Sequence, residues 1–263
     1  MLHSRLPLAA IAIIAPFMLE GQTFSYVPVT SSYVMVVKSN GTSEVAGRKR
    51  DVALDARQRL TLTLASRAPD TLALTIVLDS AVISAPSFGV VDAAPAIGLT
   101  VTALLSPRGE IYSRALPDLT GREAFMPVAE EMARFLPVMP RALRAGLSWS
   151  DTTKDTVSQL GIPIARTRIT DYAVYGDTTL AGERAWRIDR RARATFDGTG
   201  ASMGAPVVFL GTATGTGAYF ISRSGRYLGA DLREDVQSRV TLSTLGQEIV
   251  GSQVQTTSIR LAP

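Results

Sequence analysis

The sequence predicts a mainly β (α+β) protein with two related antiparallel curved sheets, one amphipathic helix between them and an N-terminal hydrophobic segment. Long stretches alternate apolar and polar residues with a period of two, which is typical of strands that bury one face. Turn residues separate these stretches, and one central region carries a helical period instead. We divide the chain into a signal or membrane-anchor segment (1–22), an N-terminal β lobe (23–118), a helix and linker (119–145) and a C-terminal β lobe (146–263).

The N-terminus begins with a short basic start at His3 and Arg5, followed by an uncharged, apolar run at residues 6–19. This pattern is typical of a secretory signal. Pro16 follows the small residue Ala15 and obstructs cleavage there, so two interpretations stay open. The segment is either a cleaved signal that leaves a soluble periplasmic protein, or an uncleaved anchor that holds a periplasmic domain at the membrane.

In the anchor interpretation, apolar side chains of this run contact lipid or a membrane partner. The candidate contacts are Leu6, Ile11, Ile14 and Phe17. The run is shorter than the roughly 17–25 residues that a membrane-spanning helix needs, so the anchor is expected to lie shallowly in the membrane.

The period-two pattern places strands in both lobes. They are expected at 32–39, 59–65, 71–78 and 98–105, and then at 164–175, 184–196, 207–222, 226–242 and 248–261. Asn40-Gly41 and Gly176-Asp177 predict hairpin turns, and residues 198–204 predict a longer loop. Strands of ten or more residues imply a strongly bent sheet that wraps around a core or a helix.

The helical period follows a capping-box pattern at Thr120 and Glu123, whose side chains suit the free N–H groups of a first helical turn. The apolar positions at helical spacing are Phe125, Val128, Met132, Phe135 and Leu136, with Glu130, Glu131 and Arg134 on the other side. Pro137 ends the predicted helix.

Composition argues against an enzyme. There is no cysteine, and the one histidine, His3, precedes the apolar run. The domain behind it therefore has no serine–histidine triad, no histidine zinc site and no histidine-ligated haem. The glycine run at 211–217 lacks the Lys-Ser/Thr ending of a phosphate loop, so we interpret its small residues as room for another backbone or the helix. We expect no catalytic residue, no metal and no cofactor.

Arginines cluster on one predicted strand. Arg187, Arg191 and Arg193 share a face with Asp189, opposite the apolar residues. This face is either a solvated outer surface or a docking surface for acidic protein or lipid headgroups, which guanidinium groups bind well. We take the three arginines as candidate partner or membrane contacts. The formal net charge of +4 is too small a bias to predict a nucleic-acid partner.

The two lobes contain short sequence echoes. Residues 21–25 (GQTFS) resemble 146–150 (GLSWS), and 105–112 (LSPRGEIY) resemble 221–228 (ISRSGRYL), in the same order. Either the lobes arose by duplication, or their hairpins reuse serine and glycine because these residues suit turns.

A family resemblance rests on residues 146–152 (GLSWSDT), 175–182 (YGDTTLAG), the glycine run at 211–217 and 225–229 (GRYLG). With these segments the chain resembles exported, two-lobed, β-rich bacterial proteins of unknown function. Such proteins are similar in outline to the curved-sheet-plus-helix carriers of lipoprotein trafficking, a likeness of fold alone. The resemblance implies no catalytic residues.

Three functions follow as hypotheses. The first is a non-enzymatic, membrane-extrinsic structural subunit that holds a larger membrane protein assembly from the periplasmic side; photosynthetic reaction-centre–light-harvesting (antenna) complexes are one example. Its partners are subunits of that complex, and lipid through the N-terminus. The second is a periplasmic carrier of a lipid or other apolar ligand in a curved-sheet cavity, which requires an internal pocket of a few hundred cubic ångströms. The third, an unusual hydrolase, has the least support.

Overall fold

A computed structural model describes residues 22–85, 89–120, 125–133, 135–159, 162–202, 205–242 and 246–262. The candidate membrane contacts of the apolar run lie outside these residues: Leu6, Ile11, Ile14 and Phe17. Glu123 of the predicted capping box and Arg134 also lie outside them.

The elements follow one another along the chain as β1 (Gln22–Thr23), β2 (Val29–Val45), β3 (Arg48–Ala68), β4 (Thr71–Ala85), β5 (Gly89–Val91), a 3₁₀ turn (Ala94–Ala96), β6 (Thr100–Leu105), β7 (Ile111–Ala115), α1 (Met126–Met132), β8 (Ala142–Leu143), β9 (Ser148–Gln159), β10 (Ile162–Leu180), β11 (Glu183–Ser202), β12 (Ala205–Ser222), β13 (Tyr227–Leu242) and β14 (Gln247–Leu261). The prediction of a mainly β protein is confirmed.

Strands of both halves join one sheet. In the described residues the sheet has twelve strands, in the order β7-β6-β4-β3-β2-β14-β13-β12-β11-β10-β9 with β5 beside β4, and β1 pairs separately with β8. The last strand closes against the second, from Ile249 opposite Val45 to Leu261 opposite Tyr33. The structure therefore corrects the prediction of two sheets. Because β14 presents matching backbone groups along its whole length, the two halves share one hydrogen-bonded ladder.

One face of the sheet, here called the inner face, carries the core. Along β4, Leu72, Leu74, Ile76 and Leu78 alternate with less buried residues. This is the period-two pattern of a strand with one covered face. Each leucine or isoleucine buried in this way stabilises the fold by about 1.5–3 kcal/mol before the entropy of ordering is subtracted. The opposite side is called the outer face.

Helix α1 is shorter than the sequence predicted. It spans Met126–Met132, begins after Phe125 without a side-chain cap and buries Ala129 and Met132 against the inner face. Phe135 is buried beyond the helix end, in a non-helical segment. Pro137 disfavours helical geometry only in the residue before it, so it does not account for an end at Met132. Within the described residues, no helix has the length and apolar character needed to cross a membrane.

Three predicted breaks between strands are wrong. Asn40-Gly41 lies inside β2, and the turn falls at Ala46-Gly47, where both residues have positive φ. Glycine is needed at position 41 for another reason: an added Cβ would lie 2.2 Å from the Ser252 carbonyl oxygen of β14. Gly176-Asp177 lies inside β10 at a register shift, and residues 198–202 belong to β11 rather than to a loop.

The paired sequence echoes form matched turns. The backbone carbonyl oxygens of Ser106 and Ser222 each accept a hydrogen bond, at 3.0 Å, from the N–H of the glycine three residues later. Those glycines, Gly109 and Gly225, have backbone φ values of +89° and +92°, which residues with a Cβ rarely adopt. The local geometry is therefore the same in both halves, and duplication stays a prediction.

Candidate functional site

Alternation along β11 decides which arginines are exposed. Arg187, Arg191 and Arg193 lie on the outer face and are exposed, and Arg187 Nε donates to Asp189 Oδ1 at 2.9 Å. Arg190 points the other way and is only 3% exposed. The predicted contact residues therefore share the outer face, as the sequence analysis placed them. Whether they meet a partner stays a prediction.

The buried Arg190 belongs to an ion-pair cluster, defined here as Arg168, Arg190 and Glu234. Arg190 Nη2 donates to Glu234 Oε1 at 2.7 Å, and Arg168 Nη1 lies 3.3 Å from the same oxygen. Arg168 comes from β10, Arg190 from β11 and Glu234 from β13, and all three side chains point to the inner face. Two cations therefore share one carboxylate; Arg190 is buried, and Arg168 and Glu234 are partly exposed.

The charges of the cluster persist at neutral pH. Burial acts to raise the pKa of Glu234, but Arg168 and Arg190 together outweigh it and hold that pKa below its ordinary value. Burial acts to lower the pKa of Arg190, but Tyr219 and Glu234 more than offset it, so Arg190 stays protonated. With two guanidinium groups and one carboxylate, the cluster carries one net positive charge.

Two nitrogen atoms of the cluster lack hydrogen-bond partners. Nη1 of Arg190 and Nε of Arg168 are buried and donate to no acceptor among the described residues. A buried N–H without an acceptor costs about 1–3 kcal/mol, and more when the group is charged. The cluster therefore leaves two buried donors unsatisfied.

The glycine run makes space for this cluster. A Cβ added at Gly215 of β12 would lie 3.3 Å from Arg190 Nη1 and 3.2 Å from Glu234 Cγ. At Gly217 an added Cβ would meet the Asp231 carbonyl oxygen at 2.2 Å. The predicted close approach of another backbone is therefore right at Gly217. At Gly215 the Arg233 carbonyl oxygen also approaches an added Cβ to 3.3 Å, together with the side chains of the ion pair.

A second ion pair lies beside the cluster on β9 and β10. Arg166 donates to Asp155 through Nε at 2.9 Å and through Nη2 at 2.8 Å, a two-point pair. Both side chains are nearly buried. The pair adds no formal net charge beside the cluster, although Arg166 also helps to lower the pKa of Glu234.

A cavity of about 540 Å³, here called the open cavity, lies over the inner face mainly at strands β9 and β11–β14 and opens to solvent. Apolar side chains from five strands form much of its wall: Val157, Phe196, Phe209, Val236, Val240 and Ile249. Arg166, and Glu130 and Glu131 from α1, lie at its polar side. The open cavity is thus an apolar chamber with a charged margin.

Two smaller cavities meet at the ion-pair cluster. The enclosed cavity, of about 40 Å³, is lined by all three cluster residues and shares Glu131 and Gln255 with the open cavity. The edge pocket, of about 380 Å³, lies between the edge strands β7 and β9 and has Arg168 and Arg190 in its lining. The cluster therefore separates the edge pocket from the open cavity.

No family model matches the sequence, and the search of curated proteins finds no similar chain.

In the part of the chain that the structure describes, no group of three or more acidic or histidine side chains is arranged as a metal site.

The ion-pair cluster is absent from the sequence-based predictions because Arg190 was not assigned to a face. Its spacing from Trp186 and Ile188 already placed it with the buried residues of the strand.

Proposed function

We propose that the protein is a non-enzymatic periplasmic carrier that binds one apolar ligand in the open cavity. The observation that carries this proposal is the cavity itself, about 540 Å³ in volume with largely apolar walls. Ligand sites typically have volumes of about 300–1,000 Å³, mostly apolar linings and a few polar groups. The apolar run at residues 6–19 supports the periplasmic location.

The walls of the cavity favour binding of an apolar chain. Phe196, Val236 and Ile249 remain partly exposed to solvent, although they point to the inner face. Covering apolar surface contributes roughly 25 cal/mol per Å². A ligand that fills the cavity removes this surface from water, as α1 does for the neighbouring part of the sheet.

The second candidate is the membrane-extrinsic structural subunit, and one observation favours it. All five residues of β7 are exposed, including Ile111 and Tyr112, and this strand is an edge of the described sheet. An exposed edge strand has free backbone groups that can pair with a strand of a partner. With the outward Arg187, Arg191 and Arg193, this edge fits a role in holding a membrane complex.

Titration of the full chain with the neutral apolar dye N-phenyl-1-naphthylamine tests the carrier proposal. We expect saturable binding with a fluorescence increase. Val236→Trp fills the open cavity and is expected to weaken dye binding at least tenfold. Val250→Trp makes the same change on the outer face of β14, where Val250 is exposed, and is expected to bind as wild type.

A Val236→Trp variant that is folded by circular dichroism and still binds the dye with wild-type affinity contradicts the carrier proposal. The structural-subunit proposal makes a different prediction: Tyr112→Lys at the exposed edge reduces co-purification with membrane proteins and leaves dye binding unchanged. Wild-type recovery of membrane partners by that variant contradicts the second candidate.

A further inference from the structure

We infer that the ion-pair cluster is a carboxylate site and that the ligand of the open cavity is an anionic amphiphile, of the fatty-acid type, whose head group reaches Arg168 and Arg190. This inference rests on the proposed carrier function and extends it from an apolar ligand to a charged one.

Charge is the first argument. Arg168 and Arg190 share the single carboxylate of Glu234, so the cluster holds one positive charge in excess, with Arg190 buried and the other two side chains partly exposed. An uncompensated charge in the interior is costly, whereas a charge matched by a hydrogen-bonded counter-charge is tolerated. A ligand with one negative charge completes the balance, because it turns the cluster into two guanidinium groups with two carboxylates.

Geometry is the second argument. The two buried donors without acceptors, Arg190 Nη1 and Arg168 Nε, belong to different guanidinium groups. Both side chains line the enclosed cavity, but these two nitrogens have almost no accessible surface and Arg190 Nη1 lies against Gly215. A carboxylate with its two oxygen atoms therefore accepts one bond from each once the two guanidinium groups turn toward the cavity. Charge-assisted bonds of this kind are stronger than those between neutral groups.

Space is the third argument. The enclosed cavity has a volume of about 40 Å³ and is lined by Arg168, Arg190 and Glu234. A space of roughly 10–15 Å³ holds one water-sized group, so this cavity holds about three such groups, close to the size of a carboxylate. It adjoins the open cavity at Glu131 and Gln255, so a chain in the open cavity can place its head group there.

Among the described residues, the remaining charged group that lines this cavity is Glu131 of α1. Glu131 also lines the enclosed cavity, but it is exposed to solvent, whereas Arg190 is almost fully buried. Water therefore screens the charge of Glu131 more than that of the cluster.

Three ligands that share one chain test the inference by competition with N-phenyl-1-naphthylamine on the full-length protein. They are dodecanoate, 1-dodecanol and dodecyl phosphate. We expect wild type to bind dodecanoate at least tenfold more tightly than dodecanol. Arg190→Met is expected to abolish this preference by weakening dodecanoate binding at least tenfold and leaving dodecanol binding unchanged. Arg191→Gln, the next residue on the outer face, is the matched control and is expected to behave as wild type.

A second variant keeps the test valid if Arg190→Met does not fold. Arg168 is partly exposed, and Arg168→Gln removes the other donor at less risk to the core; we expect it to weaken dodecanoate binding about three- to tenfold. Wild-type dodecanoate affinity in either folded variant overturns the inference.

The ligand series separates failure of this inference from failure of the carrier proposal. Equal affinity for dodecanoate and dodecanol in wild type, with both lost in Val236→Trp, overturns the carboxylate site and leaves the carrier proposal standing. Absence of binding by all three ligands overturns both. Preferential binding of dodecyl phosphate that depends on Arg190 overturns the assignment of a carboxylate head group.

Discussion

The inner face of the sheet is packed at one end and open at the other. At the packed end, Leu60, Leu62 and Ile76 are fully buried in a core completed by α1 and the segment that follows it. At the open end, Val236 and Ile249 point to the same face of the same sheet but remain partly exposed. The strands alternate in both regions, so the difference comes from the covering segment and not from the sheet.

The period-two alternation of side chains along a strand therefore determines which of them point inward, but it does not determine what covers them. The ion-pair cluster lies where the cover ends, between the packed core and the open cavity. Buried charges are poor contributors to stability compared with apolar residues of similar size. Their presence at this boundary fits a binding role better than a packing role.

Truncation of the packed end should have the largest effect on stability. Leu60→Ala leaves a cavity in a fully buried site, and we expect it to lower the free energy of unfolding by about 2–5 kcal/mol. Leu242→Ala, at the open end, removes a partly buried side chain and is expected to cost less than about 1.5 kcal/mol. Urea denaturation of both variants measures the contrast, and equal losses would contradict the division into a packed and an open end.

Removal of the shared carboxylate should have the next largest effect. Glu234→Gln leaves Arg168 and Arg190 without their counter-charge, and we expect a loss of about 1–3 kcal/mol. Glu248→Gln is the matched control, because Glu248 pairs with Arg239 on the exposed surface. Such surface pairs contribute about 0–1 kcal/mol. Urea denaturation measures the free energy of unfolding of both variants. A similar loss in both would contradict the claim that the cluster contributes more to stability than a surface ion pair.

A methyl group at the crowded glycine should have a smaller effect. Gly215→Ala places a Cβ close to Arg190 Nη1 and Glu234 Cγ, so these groups must shift by a few tenths of an ångström. We expect a cost of about 1 kcal/mol, at the lower end for overpacking, and a weaker preference for dodecanoate. Thr214→Ala, at an exposed outer-face position of the same strand, is the control and is expected to leave the dodecanoate preference unchanged. An unchanged dodecanoate preference in Gly215→Ala would contradict the claim that Gly215 makes the space that the cluster needs.

The dependence of stability on pH should be the smallest effect. The pKa of Glu234 is held below its ordinary value of 4.5, so folding favours the ionised carboxylate. Its contribution is complete above that ordinary value and is lost as the pH falls through the lower pKa of the folded state. We therefore expect wild type and Glu234→Gln to differ most at neutral pH and to converge as the pH falls below 4.5 and through the lower pKa of the folded state. A difference that grows as the pH falls would contradict this charge assignment.

The sequence predicted the strands well and their ends less well. The period-two runs at 164–175 and 184–196 lie within β10 and β11 as observed. Gly41 and Gly176 were misread as turns, because glycine serves equally for a tight turn, a bulge or a close approach of another strand. Only the pairing of β14 with β2 shows which role applies to Gly41.

The candidate site was less predictable because it depends on contacts between distant strands. Alternation alone places Arg190 on the inner face, but nothing local pairs it with Glu234, 44 residues away. The joining of both halves into one sheet is likewise a long-range fact, since it depends on the register of β14 against β2. Local pattern therefore predicts which residues point inward, and the topology decides which of them meet.

A crystal structure of the full chain with dodecanoate tests the central claim most directly. The account predicts one alkyl chain in the open cavity between Phe196, Phe209 and Val240, with its carboxylate within hydrogen-bond distance of Arg168 or Arg190. An open cavity that holds only water at saturating dodecanoate, or a ligand bound elsewhere on the protein, would contradict it.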